Sequence, residues 1–576
     1  MASPKPLGAA GRRDAELWLH AAATAARRQM QAEWFGAPPH LYGLGRGKAE
    51  GFAAFPRDFR PARAESGKAI LVGTFVLAGD PMAVGPGGDP WDRPSPSRAF
   101  AAELHGFSWL RHLLATGEEG ARESLRLILG WRRTFGGWNP FSWSGEVLER
   151  RVINLSCAAG ALCAHASDAE VEMLADLLGR HARQLMGAAD PVWRRTERTV
   201  AAGLASAALA GPGAARLLAR TLDRINRMLP KAVLPDGGHV SRSPEAGLEL
   251  LLDLLALDDA WAQRGFETPV EAARAIDRLT AALRFFTLAD GRLACFQGGE
   301  ESDAALIAAA RLRDDPQAAP PPAHAPHSGY QRMAGPRIQV MVDVGRPAPD
   351  PWSVTACAQA GAIEVVCGKD RLITSSGWSP RAPQAQAQRL TGAASAASVG
   401  HGSAGAPLSG WRARTLGPRL VGGPGKVEVK RTVAAEAGIW LDLAHDGWLA
   451  EFGLSYERRL FLDLAADELR GEDVFTPAAA GPDGKGGGEK RVIPYLVHFH
   501  VPPEVEAVLA RDNRSVLLRG ASEKGWWLRN DATEVRVEPA VHFREGRQIS
   551  TLQVLLMGHL RADKGGRVRW KLVAVE

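Results

Sequence analysis

The sequence predicts a multidomain α + β chain, with a helical half followed by an antiparallel β half. Three observations carry that reading. Between residues 98 and 286, apolar residues recur at helical spacing in an Ala/Leu-rich background. Residues 314–327 read Asp-Asp-Pro-Gln-Ala-Ala-Pro-Pro-Pro-Ala-His-Ala-Pro-His, a proline density that no helix survives. Beyond that linker the apolar period falls to two, in short runs bounded by Gly, Asp and Pro. The chain's 576 residues exceed what one core organises. The expected units are a lead-in at 1–97, a helical domain at 98–313, the linker at 314–327 and a β domain at 328–576.

Taken in order, residues 13–35 read as an amphipathic helix with an Arg/Gln face. Residues 36–97 read as irregular, with one strand-like piece at 70–77. Helices are expected near 99–115, 119–134, 145–166, 168–187, 195–209, 213–228, 244–263 and 268–286. Short loops make consecutive helices antiparallel neighbours, and such a series closes into a bundle, a solenoid or an α/α toroid. Strands are expected at 338–344, 362–366, 371–374, 426–433, 439–443, 456–464, 495–500, 515–518, 551–556 and 568–573. Without crossover helices these build an antiparallel sandwich. Residues 481–488 read as a flexible loop tip.

One stretch organises the rest. Asp236-Gly237-Gly238 is turn chemistry. Ser243 stands at an N-cap position, Pro244 at the first helical position and Glu245 in the first turn. Leu248, Leu251, Leu252 and Leu255 then form an apolar stripe, widened by Leu250, Leu254 and Leu257. A polar turn carrying His239, Ser241 and Arg242 is thereby pinned to the end of a core helix. Such a rigid platform suits a site, and it is equally an ordinary helix cap.

Composition narrows the functions. Hydrophobic residues at 45% and charged residues at 23% describe a globular protein. The net charge of +6 is interspersed, with no Lys/Arg block, which argues against nucleic acid and leaves an acidic ligand open. No apolar run reaches about 18 residues, so no membrane-spanning helix is expected. No apolar h-region precedes Ala23, so no secretory signal is expected. The five cysteines (157, 163, 295, 357 and 367) lack ligand spacing and read as buried free thiols, with no metal or cofactor implied. Seventeen Trp against four Tyr supply flat faces for sugar stacking or ordinary core.

Several phrases then fall in a specific order. They include Trp138-Asn-Pro-Phe-Ser-Trp143 leading to Arg151-Val-Ile-Asn154, then Asp236-Gly-Gly-His-Val-Ser-Arg-Ser-Pro244 and Asp290-Gly-Arg-Leu-Ala-Cys-Phe-Gln-Gly298. Ser328-Gly-Tyr-Gln-Arg332, His445-Asp-Gly-Trp448, Glu457-Arg-Arg-Leu460, Leu469-Arg-Gly-Glu-Asp473 and His498-Phe-His500 follow. In this order the sequence resembles the heparinase II/III-like polysaccharide lyases. The resemblance implies an incomplete N-terminal α/α toroid and a C-terminal antiparallel β-sandwich. It also implies β-elimination on a uronic-acid-containing polysaccharide bound between the two. That reaction needs a neutralised carboxylate, a base for the C5 proton and an acid for the departing oxygen.

The sequence departs from the family where that chemistry resides. Ala246 and Gly247 stand where active members carry Tyr-His. No Asn-His pair occurs near 199–210, and Gln359 replaces the His before Ala360-Gly361. The remaining catalytic candidates are His239 as base, Arg242 as carboxylate clamp and Tyr330 as acid. Each has a plain alternative: a His bonding its own turn, an Arg paired with a neighbouring acid, and a core Tyr. Candidates for substrate binding are Trp138, Trp143, Arg151, Asn154, Trp193, Gln359 and His445. His498 and His500 share a strand face but lack a third metal ligand. Glu245, Glu249 and Asp253 read as a solvated or paired face. The expected function is therefore a polysaccharide lyase-like protein acting on an acidic polysaccharide or oligosaccharide. The alternative is a catalytically silent binding or assembly protein on the same scaffold. The resemblance suggests the cell envelope or periplasm, and the absence of a signal pattern makes the cytoplasm the alternative.

Overall fold

The computed structural model describes residues 9–188, 191–312, 314, 317, 319–434, 437–478, 491–522 and 524–575. The loop tip expected at 481–488 lies outside the described residues. The chain opens with the helix Ala9–Gly36. The lead-in expected to be irregular holds the helices Pro38–Gly45 and Ala64–Leu71, then a hairpin of Thr74–Leu77 and Asp80–Ala83. Ile70 and Leu71 thus end a helix, where a strand was expected. Gly73 makes the change of direction: its φ is +80°, and a Cβ there would lie 1.9 Å from the Gly85 carbonyl oxygen. The helix expected at 99–115 is two, Arg98–His105 and Leu110–Leu114. They break at Phe107, a non-glycine residue at φ 58° whose buried ring packs edge-on to Trp131.

Antiparallel helices build the incomplete toroid around Arg195–Ala208. That helix is buried from Glu197 to its end and touches four others: Gly145–Cys163, Asp168–Gly187, Pro212–Ala232 and Pro244–Gln263. Its alanines and Gly203 allow the approach, since a Cβ on Gly203 would lie 3.0 Å from Ile225. The helix Pro244–Gln263 begins as its sequence requires, with the Ser243 hydroxyl accepting from the Ala246 amide at 3.3 Å.

The β half consists of three principal antiparallel sheets. The first is a meander of His324–Ala325, Tyr330–Ala334, Ile338–Asp343, Ile363–Cys367 and Asp370–Ile373. It is the middle layer of the molecule. Tyr330, Met341, Ala362 and Val366 join the helical core. Met333, Ile338, Val340 and Val342 join the sandwich core. With both faces covered, Ile363–Cys367 and Asp370–Ile373 are buried at every residue. An eight-stranded sheet follows the spatial order Val427–Ala434, Gly438–His445, Leu454–Asp463, Glu468–Pro477, Gly566–Ala574, Gly525–Asn530, Ser515–Arg519 and Glu506–Leu509. A four-stranded sheet of Glu534–Arg544, Arg547–Arg561, Val492–His500 and Ala397–Val399 completes the sandwich.

One ion pair sits deep in that sandwich. Arg458 donates to Asp473 at 2.7 Å and to the carbonyls of Gly361 and Ser395 at 2.7 and 2.9 Å. The Tyr456 hydroxyl and the Trp570 indole donate to the same carboxylate. Both charged side chains are fully buried. Removing one partner strands the other, so Arg458→Ala is expected to lower unfolding free energy by about 3–5 kcal/mol. Chemical denaturation checks this, with the exposed Val429→Ala expected to change stability by less than about 0.5 kcal/mol.

Candidate functional site

The Asp236-Gly-Gly turn docks directly on the linker's end. Asp236 accepts from the amides of His327 and Ser328, both at 2.7 Å. Gly237 is at φ +83°, with a would-be Cβ 2.0 Å from the Arg278 carbonyl oxygen. A Cβ on Gly238 would lie 2.4 Å from Ser328. Gly237 is therefore required where the turn packs on the helix Val270–Phe286, and Gly238 where it meets the β half.

Arg242 follows at φ 67°, a conformation costly for a non-glycine residue. Its guanidinium reaches across the join. It donates to the carbonyls of Ser328 at 2.7 Å, Arg346 at 2.8 Å and Gly329 at 3.0 Å, and to the Asp343 carboxylate. The group lies 4.9 Å from the centre of the Tyr330 ring, and the Tyr330 hydroxyl donates back to the Arg242 carbonyl at 2.6 Å. Burial pushes the Tyr330 phenol well above its usual range, against the opposing pull of Arg242. The second Asp343 oxygen accepts from the Gln297 side chain at 2.6 Å, and the Gln359 side chain accepts from the Gln297 amide at 2.8 Å. His239 is buried, with Nδ1 2.7 Å from the Ser241 hydroxyl and Nε2 3.3 Å from Glu197.

A second latch lies one helical turn away. Arg381, from the β half, pairs with Glu245 and lies 3.6 Å from Glu249 and 3.7 Å from Glu300. Glu249 also takes Arg150 at 2.5 Å, and Asp253 takes Arg60 at 2.6 Å. The carboxylates at i, i+4 and i+8 are thus a paired face. Burial, with Glu300 alongside and Arg381 opposing, pushes Glu245 up to about 7. The space beside His239, lined by Gly237, Ser243, Gly247 and Phe286, is about 10 Å³, room for about one water molecule.

The structure therefore brings His239, Arg242 and Tyr330 together across the join, each engaged by internal partners. It does not bring the other candidates to them as one open surface. Trp143 is buried, donating to the Phe135 carbonyl at 3.0 Å. Trp138 is half-covered by Phe35, and Arg194 lies over Trp193 at 5.2 Å. Arg151 is buried against Trp131, donates to the His105 carbonyl at 2.9 Å, and is pulled down to about 9 by burial. Asn154 bonds the Gly106 carbonyl and Arg111. His445 is buried beside Tyr456, and burial lowers it to about 4. His498 and His500 lie parallel, 6.2 Å apart, on Ser398 and the Gly392 carbonyl. Of the five free thiols, Cys295, Cys357 and Cys367 are buried, while Cys157 and Cys163 are half-buried.

Sequence reasoning missed Asp343, Gln297, Glu300 and Arg381. Asp343 ends a legible strand. Arg381 sits in an aperiodic loop, where no local pattern marks its partners.

This helical-and-sandwich architecture, with its site at the join, defines a class. Residues 317–571 match the model described as "Heparinase II/III-like, C-terminal", and the chain belongs to the heparinase II/III-like family. It is 50% identical over 561 residues to FtsZ-localized protein C of Caulobacter vibrioides (strain NA1000 / CB15N), covering 97% of this chain and 96% of that one. Among solved structures, heparinase III superposes at a TM-score of 0.67 with 13% identity, over 98% of this chain and 91% of that one. A mutant heparan sulfate lyase from Pedobacter heparinus gives 0.56 with 14% identity, over 91% and 86%. At those identities the structures share the fold.

Two expectations follow. Arg242→Ala leaves Asp343 buried without its cation and is expected to cost about 3–5 kcal/mol of stability. Gly345→Ala should destabilise through the same contact, because its Cβ would lie 2.5 Å from the guanidinium; thermal unfolding reads both. The second concerns pH. A carboxyl raised from its usual 4.5 to about 7 stabilises the fold fully below about 4.5 and loses that contribution as pH rises through about 7. Glu245→Gln should therefore flatten stability between those values. Denaturation across pH measures this.

Proposed function

We propose that this protein is a catalytically silent member of its family that works as a binding and assembly protein at the division site marked by FtsZ. The observation that carries the reading is the filled join. Arg242 and Arg381, the cations best placed for a uronate carboxylate, hold Asp343, Glu245, Glu249 and Glu300 instead. The space beside His239 is far smaller than a sugar ring. Ala246 and Gly247 cannot move protons, and the Tyr330 hydroxyl already donates to a backbone carbonyl. The division-site part of the proposal rests on the relative named FtsZ-localized protein C, which matches almost end to end. A fold alone does not fix an activity, and among the described residues the candidate base, acid and neutraliser at the join are all buried.

The test has two arms. Purified protein is incubated with a panel of uronate polymers while the ultraviolet absorbance of the unsaturated product is followed. No turnover is expected at any pH, and elimination lost in His239→Ala would overturn the silent reading. A fluorescent fusion is expected to gather with FtsZ at the division site; a uniform distribution would overturn the assembly reading.

A further inference from the structure

A groove of about 510 Å³ lies away from the join, on the outer face of the eight-stranded sheet. Strand register explains its chemistry. Trp440 faces Phe461, Phe461 faces Arg470, Arg470 faces Lys571, and Lys571 faces Arg529. One cross-strand row thus carries an aromatic pair followed by three adjacent cations. The two rings stack at 4.3 Å with 28° between planes, and the Arg470 guanidinium lies 5.5 Å from the Phe461 centre. Trp440 remains 37% exposed. Like charges on facing positions repel. Glu468 takes Arg470 and Lys571, and Arg529 is exposed with no ion pair among the described residues. The adjacent row neutralises itself, with Arg459 on Glu472 at 3.3 Å and Arg569 on Asp531 at 2.9 Å.

We propose that this groove binds an anionic oligosaccharide, with one sugar ring lying on Trp440 and the carboxylate or sulfate of a sugar further along the same chain held by Lys571 and Arg529. Charge and shape carry the choice of ligand. A flat apolar face beside cationic donors complements a ring that carries an acid. Trp440 and Arg529 stand four strand spacings apart, roughly 19 Å, which calls for more than one sugar. A peptide adds to a sheet at an exposed edge. Here the floor strands already pair with a neighbour on each side, leaving side chains alone to recognise the ligand. The inference does not rest on the silence of the join, so either reading can fail while the other stands.

The test is calorimetric titration of the full chain with oligogalacturonates and with neutral oligomers of the same length. Oligogalacturonates are expected to bind and neutral oligomers to bind at least about tenfold more weakly, with affinity falling as salt rises. Trp440→Ala and Arg529→Glu are each expected to weaken binding about tenfold while thermal unfolding stays cooperative, with the midpoint unchanged for the exposed Arg529→Glu. Arg381→Ala should leave binding intact, because that residue lies at the join. Equal binding of neutral oligomers, no binding of oligogalacturonates, or binding untouched by both groove variants overturns the proposal. Stronger binding of a polyglutamate peptide of equal charge overturns it in favour of a protein partner.

Discussion

The structure depends on one guanidinium. Arg242 leaves the end of a strained turn and is met by three carbonyls and a carboxylate, all from the β half. A charge is removed from water at large cost unless such partners surround it. Here they do, and the helical half cannot separate from the middle sheet without exposing Asp343, Tyr330 and the Asp236 turn together. Gly329 and Gly345 are small because the Arg242 head lies against them. The Arg381 latch repeats the device one turn away, using three glutamates.

The proposed silence of the join rests on that arrangement. An elimination site needs charged groups that face a ligand. At the join the described charged groups face one another, and the Asp236 turn fastens the two halves.

Much of this was legible in residue order. Helical spacing, the proline linker and the switch to a period of two placed the halves, because those patterns follow from which face each element buries. Ser243, Pro244 and the leucines that follow marked the central helix start. Asp236-Gly237-Gly238 marked the turn, though not that its glycines abut Arg278 and Ser328. Of the strand expected at 70–77, Thr74–Leu77 is a strand while Ile70 and Leu71 end a helix, since a short apolar run does not distinguish the two. His239, Arg242 and Tyr330 were found as a group through family phrases. The ion pairs that hold them were not, because Asp343 lies 101 residues from Arg242 and Arg381 lies 136 residues from Glu245, and a long-range ion pair leaves no local pattern.

The most direct measurement of a sealed join is native-state hydrogen exchange at the amides of Gln297, Glu300, Ser328, Gly345 and Gly546. Each donates to a side chain across or beside the join. The account predicts that they exchange as slowly as the core strand Ile363–Cys367, through global opening alone, and that uronate oligomers leave their rates unchanged. Rapid exchange at these amides, or protection gained on adding uronate oligomers, would mean that the join opens to substrate and would contradict the account.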